Sequence, residues 1–170
     1  EIGDEVVLGY FNNDPTAPVI LGSLYSSKRA APYTPEAENN IKALVTRSEL
    51  KIEFDEDKKV ITVDTPGGNQ VVISDDAKSI VLQDQNNNKV ELGESGIVLD
   101  SPKDISITAK GEISLNATSN ISISSKADVS VDGLNVNQTA NASFTAKGSA
   151  SAELSASGQT TVKGAMVMIN

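Results

Sequence analysis

The feature that most limits what this chain can fold into is a spacing of eight. Apolar pairs recur as Ile97/Leu99, Ile105/Ile107, Ile113/Leu115, Ile121/Ile123 and Val129/Val131, five in succession without a slip. The members of each pair stand at i and i+2, the alternation of an extended segment that turns one side inward. After Asp132-Gly133 the parity moves from odd to even, and pairs resume as Leu134/Val136, Ala142/Phe144, Ala152/Leu154 and Thr160/Val162. Gly133 is the expected site of a bulge or tight bend. Each octad reads as one short strand and one turn with two inward side chains. That is too little apolar surface to bury alone, so the repeat must stack on copies of itself. Two constructions satisfy this: a single chain wound as a solenoid with about three octads per rung, or three chains wound round one another with no lateral edge left free.

Composition alone would point elsewhere. Between 101 and 170, 35 of 70 residues are Ser, Thr, Ala or Asn, a bias typical of disordered tails. A disordered segment has no reason to keep an eight-residue register. Small inward residues late in the repeat instead imply a narrow interior.

Upstream, the pattern is also all β. Residues 1–25 carry two β-rich runs, Val6–Phe11 and Pro18–Gly22, separated by Asn12-Asn13-Asp14-Pro15, residues that turns favour. Residues 26–42, with Pro32 and Pro35 and no period, read as a linker. Residues 43–96 hold i, i+2 pairs (Ile52/Phe54, Ile61/Val63, Val71/Ile73, Ile80/Leu82, Val90/Leu92) separated by polar turns. This predicts a meander of five-residue strands with one face buried, and the octad region follows from 97 to 170. No window has helical spacing.

The formal charge is −9, with 14 basic and 23 acidic residues, no His and no Cys. This removes imidazole and thiol catalysis, disulfides and soft-metal sites, and makes a nucleic-acid partner a poor fit. No apolar run approaches the roughly 20 residues of a membrane-spanning helix. The first residue is Glu1, with neither a basic n-region nor an apolar h-region after it. That reads as a fragment of a longer protein and not as a secreted precursor.

A resemblance joins these zones. Gly3-Asp4-Glu5-Val6-Val7-Leu8-Gly9-Tyr10-Phe11-Asn12-Asn13-Asp14-Pro15, with Pro18-Val19-Ile20-Leu21-Gly22-Ser23-Leu24-Tyr25, resembles the last strands of the OB-fold in VgrG spike proteins of type VI secretion, relatives of the cell-puncturing spikes of contractile phage tails. Thr46-Arg47-Ser48 through Thr65-Pro66-Gly67-Gly68-Asn69 is similar to the neck of that family, and the octads are similar to its triple-stranded β-helix. One departure is that Gly is sparse between 97 and 147, where the phage needle often carries Val-x-Gly. The resemblance implies a homotrimeric, non-enzymatic puncturing shaft. About nine octads at ~4.8 Å would give it a length on the order of 40 Å. Its core would take Ile97, Leu99, Ile105, Ile107, Ile113, Leu115, Ile121, Ile123, Val129, Val131, Leu134, Val136, Phe144, Leu154 and Val162. It further implies a PAAR-repeat tip protein seated on Met166, Val167, Met168, Ile169 and Asn170. Hcp-like inner-tube and baseplate proteins would be met through a preceding N-terminal part. Such a protein assembles in the bacterial cytoplasm, is injected without a signal peptide, and pierces the target membrane mechanically.

Other chemistry fares worse. Asp84-Gln85-Asn86-Asn87-Asn88 resembles the start of a Ca²⁺ loop, but Lys89 and Ser95 stand where such a loop needs Gly and a bidentate Glu. Asp55-Glu56-Asp57 and Asp75-Asp76 read as solvated turns beside lysines, not as acid–base pairs. The four Asn-x-Ser/Thr sequons beginning at Asn116, Asn120, Asn137 and Asn141 are expected by chance in so biased a segment. Lys110/Lys126 and Lys147/Lys163 fit an outer edge that discourages lateral pairing. No catalytic residue, metal ligand or cofactor is expected. The competing reading is a monomeric β-solenoid adhesin that binds glycan or host protein; a lyase-type solenoid lacks the charged cleft it would need.

Overall fold

A computed structural model describes residues 2–169. The described chain is all β apart from one short 3-10 turn: nine strands in two open antiparallel sheets. It divides into two units between Gly111 and Glu112.

In the first unit, β1 (Glu5–Tyr10) and β2 (Pro18–Leu24) form a hairpin. The connection opens with the 3-10 turn Phe11–Asn13, where Asn12 and Asn13 both take positive φ, a conformation Asn tolerates better than most residues. Asp14 accepts hydrogen bonds from the Thr16 amide and hydroxyl and closes the loop. The register slips between Val7 and Leu8, as at a bulge.

Seven strands then follow as a meander in sequence order: β3 (Ile41–Val45), β4 (Lys51–Asp55), β5 (Val60–Asp64), β6 (Gln70–Ser74), β7 (Ser79–Gln83), β8 (Lys89–Gly93) and β9 (Gly96–Asp100). The sheet thus starts two residues before the expected 43. It also takes in Ile97 and Leu99, which the octad spacing assigns equally to the shaft. The i, i+2 pairs fall directly opposite one another. One cross-strand row runs Leu44, Ile52, Val63, Val71, Leu82, Val90, Leu99, and its neighbour runs Lys42, Phe54, Ile61, Ile73, Ile80, Leu92, Ile97. Thirteen of these fourteen side chains are apolar, all on one face, because side chains alternate along each strand.

The meander also repeats itself. Thr46, Thr65 and Asp84, nineteen residues apart, open three turns of identical wiring. In each turn the first residue's amide bonds the fifth carbonyl and the fourth amide bonds the first carbonyl. The first residue's side-chain oxygen accepts from the fifth amide, at 3.1, 3.2 and 2.9 Å. The fourth position needs φ > 0 and holds Glu49, Gly68 and Asn87. Gly and Asn suit it; Glu is strained there.

Beyond Asp100 no described residue belongs to a strand. The octads are extended segments broken by bends at 102–103, 110–111, 118–119, 126–127, 134, 141–142, 149–150, 157–158 and 165. The interval is eight throughout, except for one step of seven around the single-residue bend at Leu134. The bends also revise the pairing after that point. Leu134 and Ala142 lie in bends, so the extended positions equivalent to the earlier pairs are Val136/Gln138, Phe144/Ala146, Ala152/Leu154 and Thr160/Val162. Gly148 precedes one bend, where a Cβ would run into the Ser151 carbonyl oxygen. Only glycine fits there.

Replacing Glu49 with Gly, as the repeat has at 68, should stabilise the meander by about 1 kcal/mol through relief of the left-handed conformation. A rise in the urea midpoint at unchanged slope checks this; the reciprocal Gly68→Glu should lower it.

Candidate assembly interface

The expected buried face is not buried within the chain. Among the described residues Ser74 alone is buried, and no apolar side chain is. The total accessible surface is 15783 Å², about twice the roughly 8,000 Å² expected of a compact protein of this mass. Along β4, β5 and β7 the apolar-face residues are exposed, while the other face, with Lys51, Glu53, Asp55, Thr62 and Asp64 beside Val60 and Val81, is half-buried. Stabilisation of the polar face comes from its own cross-strand network. Lys51 Nζ sits 2.9 Å from Asp64 and 3.4 Å from Glu53, and Gln70 donates to Asp64 at 2.9 Å. The bond to Asp64 raises the Lys51 pKa. For Asp64, burial pushes upward, but the bonds from Lys51 and Gln70 outweigh it and leave its pKa lowered.

The apolar face is an uncovered layer. A cleft of about 560 Å³ lies along one row, lined by Val63, Val71, Leu82, Val90, Leu99 and the first octad residue, Ile105. The cleft thus joins the sheet's apolar row to Ile105, while the other octad pairs are exposed. There the first members, Ile105, Ile113, Ile121 and Val129, are 55, 52, 57 and 58 % exposed, and the second members, Ile107, Leu115, Ile123 and Val131, 70, 71, 75 and 68 %. Equal values at equivalent positions mark one conformation repeated four times. Val136, Phe144, Leu154 and Val162 are likewise exposed, and Leu134 is fully so. Met166, Val167, Met168 and Ile169 form an exposed apolar run; Asn170 lies outside the described residues.

The polar clusters are occupied by turn chemistry. Asp84 accepts from the amides of Asn86 (2.8 Å) and Asn88 (2.9 Å) and from both their side chains. These bonds, those from Asn88 foremost, lower its pKa to about 2. Asp55 caps its own turn through the amides of Asp57 and Lys58. Among the described residues no group of three acidic side chains is placed to hold a metal ion. No helix of the described chain is long and apolar enough to cross a membrane. Lys110 and Lys126 both lie at bends. Sequence reasoning missed the nineteen-residue repeat and the engagement of the linker: Arg29 pairs with Asp4, and the Tyr33 hydroxyl donates to the Glu53 carboxylate. The 46/65/84 spacing of hydroxyl or carboxylate residues was the available signal for the first. No local pattern announces the second.

No protein-family model matches the chain, and no curated protein does either.

Because the folded pKa of Asp84 is depressed, its contribution is full above the ordinary carboxylate value near ~4 and is lost as pH falls toward 2. Asp84→Ala should therefore melt below the parent at pH ~7, with the gap closing near pH ~2. Thermal melts across that range check it.

Proposed function

We propose that this chain is a structural, non-enzymatic shaft that works as an intertwined homotrimer in the puncturing device of a contractile injection machine, of the VgrG type. One observation carries the reading: the octads are extended, bent every eight residues and lined with apolar pairs, yet among the described residues they form no strand ladder within their own chain. Extended backbone with apolar side chains is not left unpaired in a working fold. A monomeric solenoid would pair its own rungs, and these do not pair. Copies of the same chain provide partners with the same period.

The open meander supports the same reading. Burying an apolar side chain contributes on the order of 1.5–3 kcal/mol, and thirteen of them line one face of an uncovered single layer. A sheet of this kind is stable only against another layer. Three copies brought face to face would supply that layer. Separating such an assembly requires three chains to come apart together, which favours slow unfolding under load. On this reading Met166–Ile169, with Asn170, is the seat of a PAAR-type tip protein. Tube and baseplate partners belong to a preceding part of the protein, and delivery is by the machine itself from the bacterial cytoplasm.

Light scattering should return three times the chain mass, with a band that resists SDS unless boiled. Ile113→Asp together with Ile121→Asp should abolish both. A truncation after Gly164 should keep the trimer and lose capture of a PAAR protein. A clean monomer for the parent chain would overturn the reading in favour of the solenoid adhesin.

A further inference from the structure

The seven-stranded sheet has two edges, β3 and β9, and they differ in chemistry. At β9, Ile97, Val98 and Leu99 are 72, 42 and 57 % exposed, with neither Lys nor Pro inside the strand. At β3, Lys42 occupies the end of the row that otherwise runs Phe54, Ile61, Ile73, Ile80, Leu92, Ile97. It is the one charged residue in either row. Its ammonium donates to the Asn39 carbonyl at 2.6 Å and stays exposed. The chain entering β3 is held as well: Tyr33 bonds Glu53 on β4, next to Ala43 in register. Pro32 and Tyr33 share a groove with Val45 and Lys51. Residues 33–40 therefore start beside the far half of β3 and return to its first residue.

We infer that Lys42, backed by the Tyr33-anchored linker, closes the β3 edge against β9 of a second copy and so prevents head-to-tail growth of the sheet. The register makes the point. The first and seventh strands of an antiparallel meander run the same way, so β9 can meet β3 of a second copy with both apolar faces on one side only in parallel, which places Ile97 beside Lys42 and Leu99 beside Leu44. In that joining the ammonium enters an apolar stripe with no carboxylate across from it, a costly desolvation. Without that charge, two apolar rows would run from sheet to sheet as a heterologous contact that does not close, the geometry of open fibres. The inference concerns the edges alone and holds whatever oligomer the octads form.

The test compares the full chain with Lys42→Val and with Lys42→Val/Tyr33→Phe, by light scattering over about a hundredfold range of concentration. The parent and Lys42→Arg should keep one mass. The Val variants should rise by about twofold or more with concentration, the double variant further. Lys42→Thr, which removes charge without adding apolar bulk, should move in the same direction, and circular dichroism reports that each variant keeps the parent's β signal. Ala43→Cys and Val98→Cys, placed together in the Lys42→Val background, should give a ladder of disulfide-linked chains on a non-reducing gel. In the Lys42 parent the same pair should give none. A concentration-independent mass for folded Lys42→Val and Lys42→Thr would overturn the inference, and so would growth without the 43–98 cross-link.

Discussion

Everything in this chain depends on extended segments that expose more apolar side chain than any of them can cover. A five-residue strand or an eight-residue repeat offers two inward residues, and a single layer offers no opposing surface. The described chain leaves all of its apolar side chains at least partly in water. Its local structure therefore rests on turns, cross-strand pairs and polar networks, and the hydrophobic contribution that normally dominates folding is small within the chain. The proposed trimeric shaft follows from this imbalance: the same repetition that denies each segment a core makes identical copies fit one another.

The two regions answer the problem differently. In the meander, backbone groups pair within the chain and only the side chains lack a partner. Its nineteen-residue unit places hydroxyl or carboxylate residues at the first position of three equivalent turns, so register is fixed locally before any assembly. In the octads beyond Ser101 the described residues form no strand ladder, and the hydrogen bonds they make, such as Ala127 amide to Ser125 Oγ and Ser130 Oγ to Asp132, span only two residues. In the proposed trimer hydrogen bonding and burial would be gained together, which makes assembly cooperative and slow to reverse. The step of seven around Leu134 shifts every later pair by one residue, which a trimer accommodates only if all three chains share it. Identical chains do so automatically.

A protein built from exposed rows must also limit which contacts form. Lys42 sits where one row would otherwise continue past the sheet edge, and the linker ahead of β3 is held to the polar face by Tyr33 and Glu53. Arg29 ties the same linker back to Asp4. Residues 26–42, which composition marks as a spacer, are thus held at Arg29 and Tyr33. A linker held on the polar face leaves the apolar face uncovered.

Much of the secondary structure was legible in the sequence because it is periodic: every i, i+2 pair of the meander falls in a strand, and every polar gap between them is a turn. The octad interval was equally legible. What the sequence did not disclose was phase and burial. Leu134 and Ala142 look like inward residues by parity, but bend positions are set by the backbone path, and one residue removed near Gly133 moves both into bends. The i, i+2 pattern predicts a face that wants to be buried without saying which molecule buries it. Only the tertiary arrangement decides that, and here it leaves the apolar rows outward and the ion-paired face half-covered. The physical reason is range. Alternation and turn chemistry act over a few neighbouring residues and are written locally, whereas coverage of a face, the anchoring of Tyr33 on Glu53 twenty residues away and the chemistry of a sheet edge depend on which distant segments meet.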